Sequence, residues 1–165
     1  MGLSWNGFDF SMFWQGVAKR DLWLTGNMFW GLNGGEWQST GFKEHLDYYR
    51  PENTTSVFGP NTNAYFPRIY MNSDKNQYTQ TRYLQNGAYA RLKNIQLGYT
   101  LPKFLTNRIG LQKVYLYVSA ENLLTISSLP DSFDPETAYS NYSGANTGKA
   151  YPLQKTVSFG LNVSF

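Results

Sequence analysis

The chain has 165 residues, the size of one domain, and only 15% of them are charged while 18% are aromatic. This composition excludes a disordered chain, and the net charge of +3 comes from scattered Lys and Arg rather than from a basic run that would bind nucleic acid. The sequence has no cysteine and no apolar run of about 18 residues, which excludes disulfides, zinc–thiolate sites and a transmembrane helix.

The N-terminal part of the chain predicts two strands joined by a tight turn. Residues 1–5 look like the end of a strand, and Asn6-Gly7 is a strong signal for a two-residue hairpin. Residues 8–24 are predicted as the second strand, because every second side chain in its first half is apolar. These apolar side chains are Phe8, Phe10, Met12 and Trp14.

A long segment without strand periodicity follows, from residue 25 to residue 83. The spacing of its apolar residues predicts a short helix within residues 38–49. A connection of this length between strands is usually functional. Its flat aromatic rings can stack on sugars or form the core of a partner interface, and they can also pack the loop against itself. The residues predicted to contact substrate or partner are Trp30, Trp37, Phe42, Tyr48 and Tyr49.

Two further strands are predicted over residues 87–101 and 113–125, with a turn between them and a second polar loop, residues 127–152, after them. Apolar and polar residues alternate along both strands, so each strand has one apolar and one polar face. The predicted apolar face carries Ile95, Leu97, Val114, Leu116 and Val118. The predicted polar face carries Asn94, Gln96, Tyr115, Tyr117 and Glu121.

The final strand is predicted over residues 153–165, where the alternation is unbroken. About ten such residues make one tilted pass of a β-strand through a bilayer. The aromatic end at Phe165 favours an outer-membrane barrel in which the last strand closes the sheet, and we interpret Phe165 and Tyr99 as interfacial aromatics. The apolar residues predicted to make this strand the terminal strand for barrel assembly are Phe159, Leu161, Val163 and Phe165.

The connections between the predicted strands alternate between short and long. Outer-membrane barrels have short periplasmic turns and long outer loops, so we expect residues 25–83 and 127–152 to lie outside the cell. Five strands cannot close a barrel, and an open sheet edge in lipid leaves backbone polar groups without hydrogen bonds. The chain is therefore expected to be a piece of a larger barrel.

The sequence predicts no catalytic, cofactor-binding or metal-binding residue, and hence no enzyme. His45 is the single histidine, and because no cysteine or nucleophile motif accompanies it, we interpret it as a solvated loop residue. Asp131, Asp134 and Glu136 carry oxygen ligands of the kind that hold calcium. Their spacing is not that of an EF-hand, and Asp-Pro is typical of a turn, which is the favoured interpretation.

Several collinear blocks resemble SusC/RagA-type TonB-dependent transporters. Residues 89–102 (YARLKNIQLGYTLP) and 118–125 (VSAENLLT) resemble the C-terminal block of that family, and the final residues from Tyr151 resemble its ending. Further upstream, Gly7-Phe8-Asp9 with Gln15-Gly16 resembles its GFD…QG strand. Residues 49–53 and 63–68 resemble an outer-loop sequence motif of that family, with Tyr49 and Arg50 where the family has Trp and Thr.

The resemblance implies a barrel of about 22 strands with an N-terminal plug domain. Such a transporter imports glycans or peptides across the outer membrane, is driven by the inner-membrane TonB machinery and works with a SusD-like surface lipoprotein. This chain would supply roughly the last five strands, and the plug and signal peptide are expected to be absent from it. The implied partners are membrane lipid, the SusD-like lipoprotein, the TonB machinery through the missing N-terminal region, and an oligosaccharide or peptide substrate, without nucleic acid or cofactor.

The alternative is a soluble β-sandwich that presents aromatic residues to carbohydrate. Such a module has to bury the apolar face of its strands against a second sheet. The aromatic end of the chain, the alternation of short and long connections and the low charge favour the barrel over this alternative.

Overall fold

A computed structural model of the protein describes residues 1–31, 41–70, 76–139 and 144–165. These residues form two compact units. The strand unit consists of Met1–Arg20, Ala88–Ser128 and Leu153–Phe165, and the loop unit consists of Asp21–Gly87 and Leu129–Pro152. Among the described residues, no helix has the length and the apolar character needed to cross a membrane.

The strand unit is a five-stranded antiparallel sheet, and the loop unit holds a two-stranded ladder. In chain order the strands are β1 (Gly2–Trp5), β2 (Phe8–Val17), β3 (Asp21–Leu22), β4 (Gln85–Asn86), β5 (Tyr89–Thr100), β6 (Lys113–Ser127) and β7 (Thr156–Ser164). The sheet has the order β1-β2-β5-β6-β7, and β3 pairs with β4. The helical segments are short: α1 (Asn27–Trp30), α2 (Lys103–Thr106) and 3₁₀ turns at Lys43–Leu46, Thr81–Tyr83, Asn107–Ile109 and Ala145–Thr147.

The predicted antiparallel all-β architecture is confirmed, but the strand predicted over residues 8–24 is too long. Strand β2 ends at Val17, and Asp21 and Leu22 pair instead with β4 in the separate ladder. Leu22 and Leu24 are buried in the core of the loop unit. The apolar residues that follow Val17 therefore serve a different core, which the alternation alone does not reveal.

Both long connections leave the same end of the sheet. Val17, at the end of β2, pairs with Tyr89 at the start of β5, and Tyr89 also pairs with Ser127 at the end of β6. The segments that follow β2 and β6 therefore start side by side, and their residues meet in the loop unit. The short connections, Asn6-Gly7 and the α2 turn, lie at the opposite end of the strands.

A β-bulge interrupts the sheet at Lys93. The register of β2 against β5 skips this residue, and the register of β5 against β6 shifts at the same place. Asn122 in β6 has a φ of 51°, and its Nδ2 donates a hydrogen bond to the Gln154 carbonyl oxygen at 3.0 Å. One extra residue reverses which side chains face each side of a strand. Leu92 therefore shares a face with Ile95, although the two residues are three positions apart.

The core of the loop unit is aromatic. The Trp30 ring packs edge-on against Phe29 and Tyr83, with ring centroids 5.1 and 4.8 Å apart. Such pairs contribute about 0.5–1.5 kcal/mol each beyond the burial of their area. The buried core residues are Leu22, Leu24, Phe29, Trp30, Tyr83, Leu129, Phe133 and Ala138. They come from both stretches of the unit, so the two long connections share one core.

The predicted helix within residues 38–49 is a single 3₁₀ turn, Lys43–Leu46, in the described part of that range. Residues 38–40 lie outside the described residues. Leu46 and Tyr49 are each 39% exposed, so they do not form the buried stripe that a helix needs for stability.

Gly98 and Gly160 leave room for two tyrosine rings of β6. The Tyr115 side chain extends over Gly98 of β5, and the Tyr117 ring extends over Gly160 of β7. A Cβ atom at either glycine would overlap the tyrosine above it. The two tyrosine rings lie 5.7 Å apart with 25° between their planes. Both rings therefore lie across neighbouring strands, which only glycine permits at these positions.

Gly98→Ala and Gly160→Ala are each expected to lower the free energy of unfolding by about 1–3 kcal/mol, because the new methyl group overlaps a ring in a packed sheet. Equilibrium unfolding in denaturant measures this change. The matched control is Gly2→Ala, where the nearest atom to the added Cβ is the Phe10 carbonyl oxygen at 3.7 Å. Tyr117→Ala combined with Gly160→Ala should cost less than the sum of the two single changes, and strict additivity would contradict the overlap.

Candidate functional site

One face of the sheet is apolar over its whole width. Directly opposed residues of an antiparallel pair carry their side chains on the same face, so the register identifies each face. The apolar rows are Phe8, Tyr99, Leu116 and Leu161; Phe10, Leu97, Val118 and Phe159; and Met12, Ile95, Ala120 and Val157. Leu116, Leu161 and Phe159 are 46%, 60% and 84% exposed, so the described residues leave much of this face uncovered.

The opposite face is polar, and hydrogen bonds run across its strands. Its rows include Ser11, Gln96, Ser119 and Ser158; Phe13, Asn94, Glu121 and Thr156; and Thr100, Tyr115 and Asn162. The Tyr115 hydroxyl donates a hydrogen bond to Asp9 Oδ2 at 2.8 Å and accepts one from Gln96 Nε2 at 3.1 Å. This network joins β2, β5 and β6 and presents carboxylate, amide and hydroxyl groups on the side away from the apolar rows.

The predicted terminal strand lies at one edge of the sheet. Strand β7 pairs with β6 and, in the described part of the chain, with no other strand. Phe159, Leu161 and Val163 share the apolar face with their partners on β6. Phe165 follows β7 and is 84% exposed. A strand with one free edge and an uncovered apolar face is suited to pairing with a further strand in an apolar solvent.

The aromatic residues predicted to contact substrate or partner do not form one cluster. Trp30 is buried in the core of the loop unit, where it packs the unit against itself. Phe42 and Tyr49 are exposed, and Tyr48 is half-buried. Trp37 lies outside the described residues. Phe42 lines one cavity, whereas Tyr48 and Tyr49 line another, so the structure divides the predicted set.

Arg50 holds the loop around Tyr48 in place. It was not among the residues predicted to contact substrate or partner. Its Nε donates to the Gly59 carbonyl oxygen at 2.6 Å, and its Nη1 donates to the Leu46 carbonyl oxygen at 2.7 Å. Its guanidinium lies 4.6 Å from the centre of the Tyr48 ring. Charged donors make strong hydrogen bonds to carbonyl oxygens that no ladder satisfies.

His45 is buried, so its interpretation as a solvated loop residue is wrong. Its side chain is 5% exposed, its Nδ1 accepts a hydrogen bond from the Phe42 backbone N–H at 2.9 Å, and its Nε2 donates to the Phe29 carbonyl oxygen at 3.0 Å. Gly31, with a φ of 64°, makes room for the ring, because a Cβ there would overlap it. Burial lowers the pKa of His45 below its usual 6.5, against the opposing effect of the hydrogen bond to Phe29.

A cavity of about 780 Å³ opens beside His45 within the loop unit. Its volume is in the range of pockets that hold small molecules or side chains, about 300–1,000 Å³. Apolar and aromatic side chains form most of its wall, and three carboxylates, Glu44, Asp47 and Asp131, join them. Phe42 is the predicted contact residue that the structure brings to this cavity.

The acidic residues after β6 form a turn. Asp134 Oδ1 accepts hydrogen bonds from the backbone N–H groups of Glu136 and Thr137 at 2.9 and 3.3 Å. A side-chain oxygen that caps its own turn in this way is typical of Asp before Pro. Across the residues that the structure describes, no group of three or more His, Cys, Asp or Glu side chains is placed to hold a metal ion.

Comparison with known proteins finds relatives along the whole chain, although no family model matches it. The chain is 33% identical over 170 residues to TonB-dependent receptor P3 and 30% identical over 172 residues to TonB-dependent receptor P26, both of Formosa agariphila. Each alignment covers 99% of this chain, but the chain spans only 15% and 16% of these two relatives.

The backbone is also similar to that of solved transporters. The RagAB peptide transporter matches with a TM-score of 0.70 at 26% identity, over 99% of this chain and 16% of that chain. The RagAB peptide importer in its open-open state matches with a TM-score of 0.65 at 26% identity, with the same coverage. The sheet and the loop unit thus both fall within the matched region.

Lowering the pH below about 6.5 is expected to destabilise the protein through His45. The unfolded chain binds the proton at the usual pKa, whereas the folded state binds it only at lower pH. The contribution of His45 to stability is therefore complete above the unfolded pKa and is lost as the pH falls through the folded pKa. Thermal unfolding as a function of pH measures this loss, with His45→Gln as the non-titrating control. An identical pH dependence in both proteins would contradict the assignment.

Proposed function

Because the chain belongs to the family of SusC/RagA-type TonB-dependent receptors, we propose that it forms part of the barrel wall and the outer loops of an outer-membrane nutrient transporter. The observation that carries the proposal is the uncovered apolar face of the sheet, which runs across four paired strands. In a bilayer that face contacts lipid, and the polar face lines the lumen of the barrel.

The lipid-facing rows and the lumen-facing rows have different tasks. Phe159, Leu161 and Leu116 are exposed on the sheet, and covering them with lipid removes them from water, which makes insertion favourable. Asp9, Gln96 and Tyr115 keep their hydrogen bonds in a water-filled lumen. Phe165 and Tyr99 are suited to the membrane–water interface, where aromatic rings are favoured.

A closed membrane barrel needs more strands than the five of this sheet. The five strands of the sheet leave β1 and β7 at its edges in the described residues. We propose that they are about the last five strands of a barrel of about 22 strands. The coverage of only 15–16% of the curated relatives supports this arrangement. The plug domain, and with it the contact to the TonB machinery, would lie in the remainder of such a protein.

The loop unit would lie outside the cell and take part in capture of the substrate. The two long connections leave one end of the sheet, as the long outer loops of outer-membrane barrels do. Phe42 and Tyr49 are exposed aromatic residues on this unit that can contact a glycan or peptide, or a SusD-like surface lipoprotein. The similar RagAB protein is a peptide transporter, which supports an oligomeric nutrient as the cargo.

A soluble β-sandwich that binds carbohydrate is the less favoured function. In a sandwich, the apolar face of the sheet lies against a second sheet. Here Phe159 and Leu161 remain 84% and 60% exposed. The relatives found along the whole chain are TonB-dependent receptors.

Leu161→Arg and Leu116→Arg are expected to block assembly into the outer membrane, because a charge near the middle of the bilayer costs about 2–4 kcal/mol. Ser158→Arg and Asn162→Arg are the matched controls. Both residues lie on the polar face of β7, the strand that contains Leu161 and pairs with the strand of Leu116. The measurement is heat-modifiable electrophoretic mobility of the protein expressed from its complete gene, recovered from the outer-membrane fraction. Equal effects on the two faces would overturn the assignment of lipid and lumen.

A further inference from the structure

The cavity beside His45 combines an apolar wall with negative charge. Met28, Phe29, Phe42, Tyr65, Phe66 and Pro130 supply apolar and aromatic surface around its volume of about 780 Å³. The Tyr65 and Phe66 rings are packed edge-on at 4.9 Å, and Phe66 packs against Phe29 at 5.8 Å. The wall is therefore built from side chains that neighbouring rings hold in place.

The charged side chains among the described residues that line the cavity are all acidic. Glu44, Asp47 and Asp131 line it, and no Lys or Arg is among the described residues that do so. The whole chain has a net charge of +3, so this concentration of carboxylates runs against its average. His45 does not compensate them, because its Nδ1 accepts a hydrogen bond from the Phe42 N–H and its ring is neutral.

The carboxylates differ in how they are held. Asp47 accepts hydrogen bonds from Asn61 Nδ2 at 2.8 Å and from the Tyr65 N–H at 3.1 Å, which orients its carboxylate. A carboxylate has about four lone-pair sites, so Asp47 retains acceptor capacity for a ligand. Glu44, Asp131 and Asp47 are all solvent-exposed residues that line the cavity, so they can approach a ligand cation without the cost of burying their charge.

These features suit a ligand that has a positively charged group at the end of an aliphatic chain. The stem removes apolar surface from water, and the cation is attracted both by the carboxylates and by the faces of the aromatic rings. A neutral sugar can stack on the rings and donate hydroxyl hydrogen bonds to the carboxylates, but it leaves their negative charge uncompensated, and a sugar acid would be repelled by them. We propose that this cavity binds the lysine or arginine side chain of a peptide. The inference rests on the proposed function, because it names the substrate class of the outer loops.

The test compares two peptides that differ only in charge. The protein, expressed from its complete gene and purified in detergent, is titrated with a fluorescent alanine-rich peptide that contains one lysine. The second peptide has norleucine in place of lysine and so keeps the stem but lacks the ammonium group. Fluorescence anisotropy is expected to give at least about tenfold tighter binding of the lysine peptide, with the difference shrinking at high salt. Equal binding of the two peptides would overturn the inference.

Substitutions of residues that line the cavity test whether the difference in peptide affinity arises there. Glu44→Gln combined with Asp131→Asn is expected to weaken binding of the lysine peptide by about tenfold or more and to leave the norleucine peptide unchanged. Glu52→Gln is the matched control, because Glu52 is an exposed carboxylate of the same unit that does not line the cavity. A double variant that binds the lysine peptide as tightly as the unmodified protein would also overturn the inference. Should the double variant misfold, Glu44→Gln alone gives the same comparison.

Failure of this inference can be separated from failure of the proposed function. The same samples are tested for heat-modifiable mobility, which reports barrel assembly independently of any ligand. A protein that assembles in the outer membrane but does not distinguish the two peptides contradicts the cavity assignment alone. A protein that does not assemble there contradicts the proposed function, and with it the role of this cavity in capture of a substrate.

Discussion

Hydrogen-bonded pairing between strands organises the sheet of this protein. It brings together residues that are distant in the chain, such as Asp9 and Tyr115, and decides which side chains share a surface. Because an antiparallel register has a period of two residues, a slip by one residue would mix apolar and polar side chains on both faces. The bulge at Lys93 absorbs an extra residue and keeps Leu92 on the apolar face. The two faces of the sheet therefore differ in chemistry, one apolar and the other polar.

The loop unit is held together by different interactions. Most of its described backbone lies outside strands and helices, and side chains hydrogen-bond to several of its carbonyl and N–H groups. Arg50 bonds to the carbonyl oxygens of Leu46 and Gly59, and Arg82 donates to that of Ala64 at 2.7 Å. An aromatic core then fixes the positions of these segments. A loop ordered in this way can carry a preformed cavity, which reduces the entropy lost on binding.

Charged and polar side chains are unevenly distributed over the two units. Charged residues are scarce in the chain, and the apolar rows of the sheet contain none of them. Polar groups lie instead on the opposite face of the sheet and in the loop unit. Carboxylates collect around one cavity of that unit although the chain as a whole is basic. In the proposed function, membrane insertion and ligand selection would therefore fall to separate surfaces of one short chain.

Local sequence is enough to predict most of the strands and their faces, because apolar and polar residues alternate along them with a period of two. Phe159, Leu161 and Val163 already indicated the apolar face of β7 before any partner strand was known. Tertiary packing sets the end of β2, since Leu22 and Leu24 alternate as strand residues do but are buried in another core. It also decided the burial of His45 and the composition of the cavity beside it. These depend on Gly31, Phe42 and Asp131, which lie far apart in the chain, and no local periodicity records contacts of that kind.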